Sequence, residues 1–64
     1  MKYEMITRIN HNEQNLPIRH EADQISTIMA IAESMPARYD VTDLAVYEVI
    51  DGHAYPMMQY NQAR

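Results

Sequence analysis

Hydrophobic and polar positions alternate from Lys2 to Ile9, with Tyr3, Met5, Thr7 and Ile9 on one side and Lys2, Glu4, Ile6 and Arg8 on the other. A period of two over a run rich in β-formers predicts a strand. Asn10 to Asn15 is polar throughout and predicts a turn or loop. Leu16-Pro17-Ile18-Arg19-His20 is a short extended piece whose proline suits a sheet edge. The period then changes. Ile25, Ile28, Met29 and Ala32 follow the i, i+3, i+4, i+7 spacing of an amphipathic helix, predicted over Asp23 to Met35. Asp23 is a suitable N-cap, and Pro36 disfavours helical geometry at Met35, which places the helix end there.

Beyond Arg38 to Thr42, two β-rich runs meet at Asp51-Gly52, the pair favoured in a two-residue type I′ turn because both residues take positive φ. A regular hairpin around that turn sets Ile50 opposite His53, Glu48 opposite Tyr55 and Val46 opposite Met57. Leu44, Val46, Ile50 and Met57 then share one face, and Ala45, Tyr47 and Val49 share the other. Pro56 marks the last strand as an edge. Ile28 and Met29 are expected to bury against Leu44, Val46 and Ile50. The order strand-strand-helix-strand-strand predicts an α+β, two-layer fold: a small, mostly antiparallel sheet with one helix packed on one face.

Composition narrows the function rather than the fold. At 64 residues the chain forms one domain, residues 1–64, with 61–64 expected to be a frayed tail. No cysteine is present, so disulfides and thiolate metal sites are excluded. No apolar run approaches a membrane span, and Met1-Lys2-Tyr3-Glu4 does not open a signal peptide, so a cytoplasmic protein without membrane contact is expected. Nine acids against five bases give a net charge of −4, which disfavours direct nucleic-acid binding and suits a solubilising surface or a basic partner.

Candidate chemistry is sparse. His11, His20 and His53 have no metal-ligand spacing, and His11 and His53 fall in predicted turns. Asp40, Asp43, Glu48 and Asp51 cluster around one strand, but five positions separate Asp43 from Glu48, so the two face opposite sides. No nucleophile elbow, P-loop or dinucleotide fingerprint occurs. The expectation is a protein that is not an enzyme, with no catalytic residue, no metal and no cofactor. Six methionines and five tyrosines speak instead for a binding surface, since Met adapts to partners and Tyr is enriched at interface cores. The residues expected to bind a partner are Asp43, Tyr47, Glu48, Tyr55, Met58 and Tyr60.

Leu16-Pro17-Ile18, with Glu21 three residues on, and Met35-Pro36-Ala37-Arg38-Tyr39-Asp40-Val41-Thr42 carry a family resemblance. From Lys2-Tyr3 to about Ile50 the chain resembles the small phage proteins that inhibit bacterial RNA polymerase by binding the jaw of its largest subunit. That family reads Val-Pro-Ile, an acid, a helix, then Val-Pro-Ala-Gly-Phe-Glu-Val-Thr. The resemblance implies a three-stranded antiparallel sheet with one helix, acting in the host bacterial cytoplasm on a host protein complex. The positions matching the family's polymerase-binding arginines are Asp43 and Ala45, which reverses the local charge. The expected function is therefore a phage-type host-takeover protein that binds and inhibits a host complex, with RNA polymerase the leading target. The alternatives are an inhibitor of a host defence effector, such as an anti-CRISPR or anti-restriction protein with acids mimicking DNA phosphates, and a structural or self-associating accessory protein that forms a homo-oligomer through an open sheet edge.

Overall fold

A computed structural model describes residues 1–61. Strands β1 (Lys2–His11) and β2 (Gln14–Ala22) form a hairpin, α1 (Ile25–Arg38) follows, and β3 (Asp40–Ile50) and β4 (His53–Asn61) form a second hairpin. All pairings are antiparallel, in the order β2-β1-β3-β4, so the two hairpins meet through β1 and β3. The helix lies on one face. The fold is the α+β, two-layer arrangement that the periodicities predict.

The core sits between α1 and the central strands. Met5 and Ile9 of β1, Ile28, Ala32 and Met35 of α1, and Val41, Leu44 and Val46 of β3 are buried together. The alternation of β1 is borne out, with Met5, Thr7 and Ile9 buried and Ile6 and Arg8 exposed. The second strand is longer than the apolar run suggests, because its polar ends pair with β1 from His11↔Gln14 to Tyr3↔Ala22. The polar stretch around it collapses to a two-residue turn at Asn12-Glu13, both with positive φ (51° and 65°).

The helix departs from expectation at both ends. Its N-cap is Gln24, extended at φ −123° and ψ 138° with no side-chain cap, so Asp23 stands one position early. At the other end Pro36 lies inside the last turn and the helix runs on to Arg38, where the Tyr39 amide donates to the Met35 carbonyl at 2.9 Å. Packing of Met35 in the core outweighs the local penalty of the following proline. The inward stripe is Ile28, Ala32 and Met35, while Met29 is half-buried and Ile25 is 42% exposed.

Two bulges set which side chains reach the helix. Between β1 and β3 the register passes from Arg8↔Asp43 to Ile9↔Val41, which leaves Thr42 as the extra residue. A regular strand would put Val41 on the face opposite Leu44, and the inserted residue turns it into the core. Hydroxyls satisfy the disturbed ladder: buried Thr7 donates to the Asp43 carbonyl at 2.6 Å, and Thr42 donates to the Arg8 carbonyl at 3.2 Å.

The second bulge corrects the hairpin register. Asp51-Gly52 forms the expected turn with positive φ at both residues, and Ile50↔His53 and Glu48↔Tyr55 pair as anticipated. Between Tyr47↔Pro56 and Val46↔Met58, however, Met57 is extra, so Val46 faces Met58 rather than Met57. Met58 packs against the core and Met57 is exposed. Ile50 is also 41% exposed, because it lies at the turn, beyond reach of the helix. Asn61, expected in the tail, ends β4, and residues 62–64 of the expected frayed tail lie outside the described residues.

The two turns make one paired prediction. No atom stands within 4 Å of where a Cβ on Gly52 would be, so substitutions there report backbone strain alone. Gly52→Val should destabilise by about 1–2 kcal/mol, the cost of a left-handed conformation to an L-residue. Glu13 already bears that cost, and Glu13→Gly should recover up to about 1 kcal/mol, raising the melting temperature by several degrees. Thermal melts followed by circular dichroism check both. An unchanged melting temperature in Gly52→Val would refute the strain assignment.

Candidate protein-binding surface

Each open edge of the sheet carries a proline. Ladder bonds alternate outward from the residue pair that closes a two-residue turn. Counting from His11↔Gln14 puts Pro17 at a non-bonded position, and counting from Ile50↔His53 does the same for Pro56. In both strands the missing N–H therefore points to the open edge, where another strand would need it. Together with the bulge at Met57, this limits strand addition and leaves side-chain contact as the better route to a partner.

The sheet faces differ in their cover and charge. On the helix-free face, Lys2, Glu4, Ile6 and Arg8 of β1 stand beside Arg19 and Glu21 of β2 and Asp43, Ala45 and Tyr47 of β3, as the register dictates. Lys2, Glu4, Arg19 and Glu21 pair with one another. Arg19 holds Glu4 through two nitrogens, Nε donating at 2.9 Å, and reaches Glu21 at 3.3 Å, while Lys2 lies 3.6 Å from Glu21. Glu4 is only 8% exposed on a face with no second layer, because the longer Arg19 roofs it. The hydrogen bond to Glu4, reinforced by its charge, raises the Arg19 pKa above the ordinary arginine value.

On the helix side the cover is incomplete. The helix packs over β1, β2 and β3 and does not reach β4. A groove of about 280 Å³ opens there, between Ala32, Glu33 and Pro36 of α1 and Leu44, Met58 and Tyr60 of the sheet. The bulge at Met57 keeps Tyr55, Met58 and Tyr60 on this same face, opposite Glu48, Val46 and Leu44 respectively. Tyr55 is 52% exposed and Tyr60 46%. No Asp, Glu, Lys or Arg occurs in β4, although every other strand carries them.

The six residues singled out from sequence are thus divided. Met58 and Tyr60 line the groove, Tyr55 and Glu48 share its face toward the turn, and Asp43 and Tyr47 belong to the helix-free face. The helical wall, Ala32, Glu33 and Pro36, is not apparent in the sequence, where Pro36 reads only as a helix stop. The four acids Asp40, Asp43, Glu48 and Asp51 do not form one row: Asp43 and Glu48 lie on opposite faces and Asp51 is in the turn.

Among the described residues no three His, Cys, Asp or Glu side chains gather as a metal site, and no helix is long and apolar enough to cross a membrane. Comparison with protein-family models, curated proteins and solved structures yields no match.

Proposed function

We propose that this protein acts stoichiometrically, by binding a partner protein complex through the helix-side face of β4 and thereby inhibiting it. The observation that carries this reading is β4, without Asp, Glu, Lys or Arg and beyond the helix, with Tyr55 and Tyr60 each about half exposed on the helix-side face and Met58 and Tyr60 lining an apolar groove. Exposed aromatic and thioether groups clustered in this way mark interfaces, and large aromatics tend to carry their energy. Bacterial RNA polymerase is the first partner to test, on the strength of the two proline motifs. The reversed charge at Asp43 points to a docking mode that does not use the third-strand cations of the phage inhibitors. The division of the acids between opposite faces favours direct protein contact over phosphate mimicry.

Purified bacterial RNA polymerase, titrated with the protein in a promoter-dependent transcription assay, tests the leading assignment. Inhibition should saturate near one protein per polymerase, and the two should co-elute on gel filtration. Full transcription at large excess, with no co-elution, removes polymerase as the partner.

A further inference from the structure

The face of the sheet without a helix is open across all four strands. Antiparallel sheets often leave one face in water, so openness alone assigns no partner. Shape and charge go further. Ile6 is 39% exposed and stands in register with Ala45, the smallest side chain in its row. Beside it a notch of about 150 Å³ is lined by Asp43, Leu44, Ala45 and Gln59. It opens on this face, to which Asp43, Ala45 and Gln59 belong by register. A protruding isoleucine and a notch one strand apart are the two halves of a self-complementary contact.

The charges match in the same way. Lys2, Arg8 and Arg19 stand on this face against Glu4, Glu21, Asp43 and, at its end, Asp40, a net of −1 in a chain of −4. Two copies therefore repel least through this face. Arg8 and Asp43 are opposite in register yet form no ion pair. The Arg8 Nε donates to the Asn15 Oδ1 at 2.6 Å, which turns the guanidinium toward β2. Among the described residues the Asp43 carboxylate has no ion-pair partner.

We propose that the helix-free face docks a second copy of this chain, about a two-fold axis that runs between β1 and β3 and parallel to them. That axis lays β1 of each copy on β3 of the other. Ile6 then enters the notch over Ala45 and Arg8 meets Asp43, each contact made twice. Glu4, 8% exposed beneath Arg19, has little water left to lose when Tyr47 of the second copy covers it. With strands about 4.8 Å apart and residues about 3.3 Å apart, the face measures roughly 19 Å by 30 Å. The pair buries about 1,100 Å², at the lower end for a specific interface, so the dimer is weak. The inference stands apart from the partner-binding reading, which uses the other face.

Sedimentation equilibrium from about 5 µM to about 1 mM follows the association by mass action. The wild-type chain should be dimeric at the upper end, and added salt should weaken the dimer. Asp43→Arg and Arg8→Asp should each weaken it at least about tenfold, since like charges then meet across the axis. Mixed in equal amounts, the two variants should regain a dimer, because every contact between copies then joins opposite charges. The change within each chain is the same alone or mixed, so recovery reports contact between copies. Ala45→Leu, which fills the notch, should weaken the dimer although it adds apolar surface. Circular dichroism confirms the fold of each variant. A chain that stays monomeric at about 1 mM overturns the assignment. So does a dimer indifferent to the charge reversals or to Ala45→Leu, or a pair of variants that stays monomeric when mixed. A dimer broken by Met58→Ser instead would overturn it too, placing the second copy in the groove beside α1.

Discussion

Ile28→Ala is expected to unfold a large part of the population at 37 °C. Ile28 has no solvent exposure and lies in the cluster that joins α1 to Met5, Leu44 and Val46. Truncating a buried isoleucine costs about 2–5 kcal/mol, part lost transfer energy and part cavity. Stabilities of about 0.05–0.15 kcal/mol per residue give a domain of this size only about 3–10 kcal/mol in total. The helix has no independent stability to fall back on, since fourteen residues are marginal in water and Gln24 supplies no side-chain cap. Ile25→Ala, one turn earlier, is the internal control. That side chain is 42% exposed, so the change should cost well under half as much. Urea denaturation of both variants measures the difference. Equal losses at the two positions would mean that the helix packs on the sheet by another face.

The contrast between Ile25 and Ile28 also shows how far the sequence carried. A 3.6-residue period locates a helix and its apolar half, but Ile25, Ile28, Met29 and Ala32 satisfy it equally well. What separates them is the crossing of α1 over the sheet, a tertiary fact, which favours Ile28, Ala32 and Met35. The strands behave likewise. Alternation in β1 was legible because both neighbours pair with it in regular register up to Arg8. The Asp51-Gly52 turn was legible because its conformation depends on two residues alone.

The bulges were not legible. An extra residue at Thr42 or Met57 inverts every face assignment beyond it, and the local sequence at neither position demands one. Val41 and Leu44, three apart and both buried, were the available signal for the first, because a straight strand cannot put both on one face. For the second, Met57 and Met58 are chemically equivalent neighbours, so the pattern accepts either. Of the six residues of the candidate surface, Asp43 and Tyr47 lie on the other face, and the helical wall was missed. Glu33 and Pro36 sit on the helix's flank, which hydrophobic periodicity does not resolve.

Tyr55→Ala and Tyr60→Ala should each weaken partner binding by about 2 kcal/mol or more, roughly thirtyfold, while Tyr47→Ala leaves it within threefold. The three tyrosines lie on neighbouring strands but divide between faces. Tyr55 and Tyr60 stand on the helix side, opposite Glu48 and Leu44, and Tyr47 points from the other side, beside Glu4. Tyr55 and Tyr60 are about half exposed, so their rings can be buried by a partner at little cost to the folded monomer. Tyr47 is half-buried in the sheet surface opposite Glu4, so its removal should act on stability before binding. Charge reversal separates the faces a second way. Glu48→Lys, on the helix side, should slow association with a basic partner at low salt, and Asp43→Lys, on the helix-free face, should slow it less. Surface-binding kinetics with RNA polymerase, or with whichever partner replaces it, measure both sets, and circular dichroism confirms the fold. If Tyr47→Ala and Asp43→Lys prove the damaging changes while Tyr55→Ala and Tyr60→Ala bind normally, the partner docks on the helix-free face and the groove beside α1 is not its seat.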